Sequence, residues 1–230
     1  MNPKQDNQAP KSEILQEDRV IECSEHLILY QLGQKNLEEY TEFVYNVYVD
    51  NYSKKHGWQS DEEELTYMKE EDAQQFSQSY YFAFRTHTGE MAGGVKITKQ
   101  SPSLQFPIET EFGYNLQNYF QQANIPVNDI WHMGRLAIDK HVLANAGFSG
   151  SSLPILIKLL KQSFGAMVQH DDNILIGESD ALAYRIYRTL GIKLQKMGEG
   201  KKYVGSLTYP VFAQASDINR WLHLYKPLVS

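Results

Sequence analysis

The chain switches repeatedly between period-2 and period-3.6 hydrophobic patterning, and a sheet with helices packed against it accommodates that alternation. Leu27–Leu32 reads as a first strand. Asn36 is placed to cap a helix from Leu37 to about Lys55, where Leu37, Tyr40, Phe43, Val44, Val47 and Tyr48 recur at helical spacing. A second, acidic helix is expected over Asp61–Gln75. Tyr80–Arg85 and Met91–Thr98 form a hairpin about Thr88-Gly89-Glu90. A proline-punctuated crossover from Ser101 to Asn128 holds a short helix near Tyr114–Gln121. Ile130–Asp139 is the next strand, Leu153–Gln169 the longest apolar helix, and Asn173–Gly177 a buried strand. Ala181–Leu190 is a helix, Tyr203–Ala213 supplies a last strand and Asp217–Leu224 a last helix. The fold class expected is α/β (α+β), a mixed sheet with helices on both faces.

Composition removes several alternatives. Aromatic residues make up 12% of the 230 residues, too many for a disordered chain. The lone Cys23 has no intrachain partner, which excludes a disulfide scaffold and favours a reducing compartment. A net charge of −6 speaks against a general nucleic-acid binder. No stretch approaches the ~18 consecutive apolar residues of a membrane span. The first twenty residues have neither an apolar core nor a small-residue cleavage site. Residues 1–20 are therefore expected to be a mobile tail before a single domain, 21–230, and the cytoplasm is the expected location.

Four segments carry candidate chemistry. Asp129–Ile138, DIWHMGRLAI, puts His132 and Arg135 inside an otherwise apolar strand. A buried guanidinium requires a partner. Arg135 meets either a ligand or an internal carboxylate such as Asp72 or Glu111, and His132 is either a satisfied structural residue or a catalytic one. The connection NAGFSGSS holds Gly147, Gly150, Ser151 and Ser152 ahead of a helix with Pro154 in its first turn. Such a loop suits a phosphate at a helix N-terminus, or is a serine cap with two flexible glycines. In Glu178–Ile192 a strand end passes into a helix closed by Gly191, with Tyr184, Tyr187 and Leu190 on one face, an arrangement that core packing alone would also explain. Glu70, Glu71 and Asp72 form an acidic cluster just before a strand, a pattern equally suited to a solvated face.

Taken in order, these segments resemble the GNAT superfamily of acyl-thioester-dependent N-acyltransferases. Ala183, Ile186, Tyr187, Gly191 and Ile192 fit its A-x-x-[L/I/F]-Y-x-x-x-G-[F/I] pattern. Within that superfamily the chain is more similar to acyl-homoserine-lactone synthases and N-acyl amino acid synthases, from about Tyr45 to Ile192. Gly57-Trp58 matches their aromatic G-W segment, Glu70 and Asp72 two positions of E-x-D-x-x-D, and Gly93 the start of G-x-x-R. Trp131 and Arg135 match W-E-x-S-R-F. Gln75, Lys96, His132 and Gly134 depart from these patterns, and Gly147 and Gly150 stand one residue further apart than in the usual pyrophosphate loop.

The resemblance implies a mostly antiparallel, twisted sheet with one splayed strand pair. It implies transfer of an acyl group from acyl-CoA or an acyl carrier protein to a primary amine, an amino acid or related metabolite, without a metal. His132 would be the base and Tyr187 the acid for the leaving sulfur. Arg135, Glu70, Asp72, Trp58 and Trp131 would line the acceptor site. Backbone at Leu136, Ala137 and Ile138, with Gly147, Gly150, Ser151 and Ser152, would hold the thioester arm. Lys158, Lys161, Lys193, Lys196, Lys201 and Lys202 are candidates for docking an acidic carrier protein. The rival readings are a non-catalytic acyl-thioester or lipid-binding module and an acetyl-CoA-dependent small-molecule acetyltransferase.

Overall fold

Strand β1 (Arg19–Cys23) pairs antiparallel with β2 (Leu27–Gln31), and helices α1 (Leu37–His56) and α2 (Glu62–Gln75) follow. The computed structural model describes residues 14–56, 61–148 and 150–225. A hairpin of β3 (Ser79–Thr86) and β4 (Met91–Lys99) leads through α3 (Pro107–Thr110) and α4 (Leu116–Gln122) to β5 (Ile130–Ile138). Then come α5 (Lys140–Asn145), α6 (Leu153–Met167), β6 (Ile174–Asp180) and α7 (Ala181–Thr189). The chain closes with β7 (Gln195–Lys196), β8 (Lys201–Tyr203), β9 (Ser206–Gln214) and α8 (Ala215–Leu224). All described strands join one sheet in the order β1-β2-β3-β4-β5-β6-β9-β7, with β8 on β9. Every pairing is antiparallel except β5 with β6.

The two sheet faces bury different helices, as their patterning requires. Leu156, Leu159, Leu160, Phe164 and Met167 of α6 and Trp221 of α8 pack on one face against Phe82, Val95, Trp131 and Leu175. Tyr40, Val44 and Val47 of α1 cover the other with Tyr81, Ala83 and Ala137. On that same side Phe106, Ile108, Leu116 and Phe120 lie over Ile174, Ile176 and Phe212. Aspartates mark two strand-to-helix junctions. Asp139 accepts from the His141 and Val142 N–H groups to start α5, and Asp180 accepts from Leu182 and Ala183 to start α7.

The expected tail differs from its description between residues 15 and 20. The Gln34 N–H donates to the Leu15 carbonyl at 2.9 Å, the Gly33 N–H to Asp18 Oδ1 at 2.8 Å, and Arg19 and Val20 lie in β1. A Cβ on Gly33 would come within 2.4 Å of the Gln16 carbonyl oxygen, so only glycine lets the arm lie this close. β1 escapes pattern reading because all of its residues are exposed and no buried face imposes alternation.

Two features of β5 shape the site. It is in register with β6 only at Ile130, Trp131 and His132, opposite Ile174, Leu175 and Ile176. From Met133 onward, one residue beyond the histidine, the two strands part. Against β4, Gly94 faces Ala137 and Lys96 faces Gly134, so two steps on β4 match three on β5. The extra residue is a β-bulge at Arg135, whose φ of 54° is left-handed. The bulge reverses which residues face which side. Trp131 and Met133 lie toward α6, but Ala137 lies toward α1 and Ile138 toward α6. Without it Arg135 would project into the apolar layer under α6.

Candidate active site

A cavity of about 230 Å³ occupies the gap between β5 and β6. His132, Gly134, Arg135 and Leu136 of β5, Glu178 of β6, Tyr187 of α7 and Tyr48 of α1 are among the residues lining it. His132 Nε2 lies 2.9 Å from Glu178 Oε2, and the imidazole stacks on Phe106 with centroids 4.5 Å apart. A Cβ on Gly134 would stand 3.1 Å from His132 Cε1, so glycine at the position of the expected serine makes room for the ring. In the neutral imidazole that donates Nε2–H to the carboxylate, Nδ1 carries the lone pair, and no described residue bonds to it.

Arg135 is held by carboxylates of α2. Its Nη2 reaches Glu71 Oε2 at 2.5 Å and its Nε reaches Asp72 at 3.5 Å. Lys96 Nζ sits 2.6 Å from Asp72 Oδ1 and 2.7 Å from Gln75 Oε1, while Thr41 Oγ1 donates to Asp72 Oδ2 at 2.9 Å. Burial works against the Asp72 charge, yet Lys96 and Arg135 outweigh it and hold its carboxyl below the ordinary carboxylate value. Burial likewise opposes the guanidinium, which Asp72 and Glu71 keep above its ordinary pKa. The Arg135 carbonyl accepts from the Tyr40 hydroxyl at 2.9 Å, which secures the bulge from α1.

The phenols of the cavity stay protonated at neutral pH. Burial raises Tyr187 far above its usual value, with Asp180 and Tyr48 adding to the effect. Burial pushes Tyr48 up to about 12 against the opposing pull of Arg135. Beyond the divergence β5 also offers backbone. The Asp139 N–H donates to the Ala92 carbonyl of β4 at 3.0 Å, so strand alternation turns the Ile138 N–H toward the edge that β6 has left.

Several expected site residues stand elsewhere. Glu70 is exposed, and its neighbour Glu71 faces Arg135, because adjacent helical positions point about 100° apart. Glu111 is not a partner of Arg135. Trp131 is packed in the core under α6 and does not line the cavity, and its buried Nε1 has no partner among the described residues. For Leu136, Ala137 and Ile138 the expectation concerns backbone, and the Ile138 N–H faces the gap, while the Ala137 side chain lies under α1, that of Ile138 in the α6 layer, and Leu136 borders the cavity. Gly147, Gly150, Ser151 and Ser152 line a separate hollow of about 350 Å³ with Lys140 and Phe148, at the N-terminus of α6. Gly147 and Gly150 have φ of 79° and 115°, which suits glycine. Trp58 lies outside the described residues.

Glu178 and Glu71 carry no role in the sequence reading. A glutamate after the apolar run Ile174–Gly177 marks the strand end, but only the β5–β6 pairing shows that it faces His132.

No protein-family model matches this sequence, and neither does any curated protein. Among solved structures the chain is similar to FeeM, an N-acyl amino acid synthase from uncultured soil microbes. That match has a TM-score of 0.64 at 12% identity, covering 87% of this chain and 98% of that one. It is similar to the AHL synthase LasI, with a TM-score of 0.54 at 15% identity over 89% of this chain and 98% of that one. An acetyltransferase of the GNAT family from Staphylococcus aureus gives a TM-score of 0.52 at 8% identity, over 82% and 99%. The chain has the GNAT fold, with its mixed, mostly antiparallel sheet opened at one parallel pair.

Proposed function

We propose that this protein is an N-acyltransferase that moves an acyl group from a thioester to a primary amine. The observation that carries the reading is the opening between β5 and β6, with the His132–Glu178 pair and Tyr187 on its walls. An ammonium must lose one proton before its nitrogen can attack, and His132 Nδ1 takes it, directly or through one water, and passes it to solvent. The nitrogen then bonds to the thioester carbon and the carbon–sulfur bond breaks. Tyr187 protonates the departing sulfur, and the second proton lost by nitrogen as the amide forms restores the phenol. One proton is released overall. The Ile138 N–H, on the edge freed by β6, suits the charge that develops on the thioester oxygen. Arg135 has a positioning role: with Glu71 and Asp72 it locks the bulge that brings this backbone to the gap.

The hollow at the N-terminus of α6 suits the phosphate of a pantetheine-bearing donor, acyl-CoA or an acyl carrier protein. The surface cations favour a carrier protein, because Lys161, Arg185 and Arg188 project from α6 and α7 without a carboxylate partner among the described residues. No described helix is long and apolar enough to cross a membrane. A binding module would not require a histidine–carboxylate pair and a buried phenol lining the same cavity. Incubating the full chain with a panel of acyl thioesters and amines, followed by mass spectrometry, tests the proposal. Amide product with any pair supports acyl transfer, and thioester binding with no product for any amine overturns it.

A further inference from the structure

The charges around the cavity are unevenly committed. Its lysine and its arginine are engaged internally, Lys96 by Asp72 and Gln75 and Arg135 by Glu71 and Asp72. No other lysine or arginine lines it among the described residues. The carboxylate side is different. Glu178 gives Oε2 to His132, but its Oε1 is buried and accepts no hydrogen bond from any described residue, and the side chain is only 9% exposed. A buried carboxylate oxygen without a donor is costly, and in the wall of a cavity it marks a place for one.

We propose that Glu178 Oε1 is the docking point for the ammonium group of the acceptor, and that this acceptor is an amine bearing no carboxylate beside its nitrogen. An ammonium supplies three N–H donors, which satisfies the orphan oxygen and leaves two for water or for His132 Nδ1. A free amino acid would bring its own carboxylate up to Glu178 and Glu71 with no uncommitted cation to receive it. A carboxylate wall whose neighbouring cations are already engaged repels a ligand carboxylate and so selects against an anionic acceptor. The inference rests on the acyl-transfer reading for the word acceptor, but the docking itself can be measured with no donor present.

Calorimetric titration of the full chain with matched pairs, phenethylamine against phenylalanine and cadaverine against lysine, separates the two. Each amine is expected to bind at least about tenfold more tightly than its amino acid, and Glu178→Gln to weaken the amine by about 10–100-fold with an unchanged melting temperature. Equal or tighter binding of the amino acids overturns the proposal. So does an amine affinity untouched in a folded Glu178→Gln protein, or an absence of binding by both amines. Should Glu178→Gln not fold, the matched pairs on the unaltered protein still decide. If the amines bind as expected and no thioester is consumed in their presence, docking stands and acyl transfer falls. If amide forms preferentially on amino acids, acyl transfer stands and docking falls.

Discussion

His132 is fixed from three sides: Glu178 holds Nε2, Phe106 covers the ring face, and the missing side chain of Gly134 leaves space at Cε1. Its Nδ1 is bonded to no described residue and so is open to a substrate proton. His132→Gln retains a donor for Glu178 but supplies no base, and should lower turnover by about 10²–10⁴-fold with the circular dichroism spectrum unchanged. Unaltered turnover would remove the imidazole from the reaction. Tyr187 is tested through the leaving group. Tyr187→Phe should slow transfer from an alkyl thioester by about 10²-fold or more, and from an aryl thioester, whose thiolate leaves without a proton, far less. An equal deficit with both donors would make Tyr187 a packing residue. His132 and Arg135 stand out in the sequence because each is polar where the strand pattern demands an apolar residue, and Tyr187 only through the resemblance to the GNAT pattern. Glu178 does not, since a polar residue at a strand end is ordinary until its neighbour across the sheet is known.

Among the elements, α2 binds to the sheet through one carboxylate. Asp72 is fully buried and joins Thr41 of α1, Tyr81 of β3, Lys96 of β4 and Arg135 of β5. Removing its charge leaves two buried cations sharing Glu71, so Asp72→Asn should cost about 3–5 kcal/mol, read from urea unfolding. Its carboxyl titrates below the ordinary 3.8 when folded, so as pH falls the unfolded chain takes up a proton first. The stability Asp72 contributes is therefore complete above that ordinary value and lost as pH drops through the folded one. Unfolding followed between about pH 5 and pH 2 should show this loss in the unaltered protein and a shallower one in Asp72→Asn. The same cluster shows what a pattern cannot reveal. The α2 helix was readable to within a residue, yet its phase relative to β5 was not, so Glu70 stood in for Glu71. The bulge was hidden too, because an inserted residue alters no periodicity until the register against β4 is known.

At the scale of the whole molecule, the net charge of −6 opposes approach of any acidic partner, so a carrier protein can dock only on a locally basic surface. Most lysines singled out from the sequence are already engaged: Lys158 with Glu22, Lys193 with Asp217, Lys196 over the Tyr209 ring and Lys201 on the Glu111 carbonyl. Composition counts charges but cannot say which are neutralised within the fold. Lys161 on α6 and Arg185 and Arg188 on α7 keep theirs, and α7 is also the helix that presents Tyr187 to the cavity. On the proposed function, a carrier seated there would direct its pantetheine to the opening between β5 and β6. Binding of an acidic acyl carrier protein should weaken about tenfold or more as salt rises from about 0.05 to about 0.5 M. Arg185→Glu with Arg188→Glu should lower kcat/KM for the carrier-bound acyl group at least about tenfold, and leave that for the same acyl group on free pantetheine unchanged. A loss shared by both donors would place the two arginines in the fold rather than at the dock, and salt-independent binding would mean that the carrier is recognised by apolar contact, if at all.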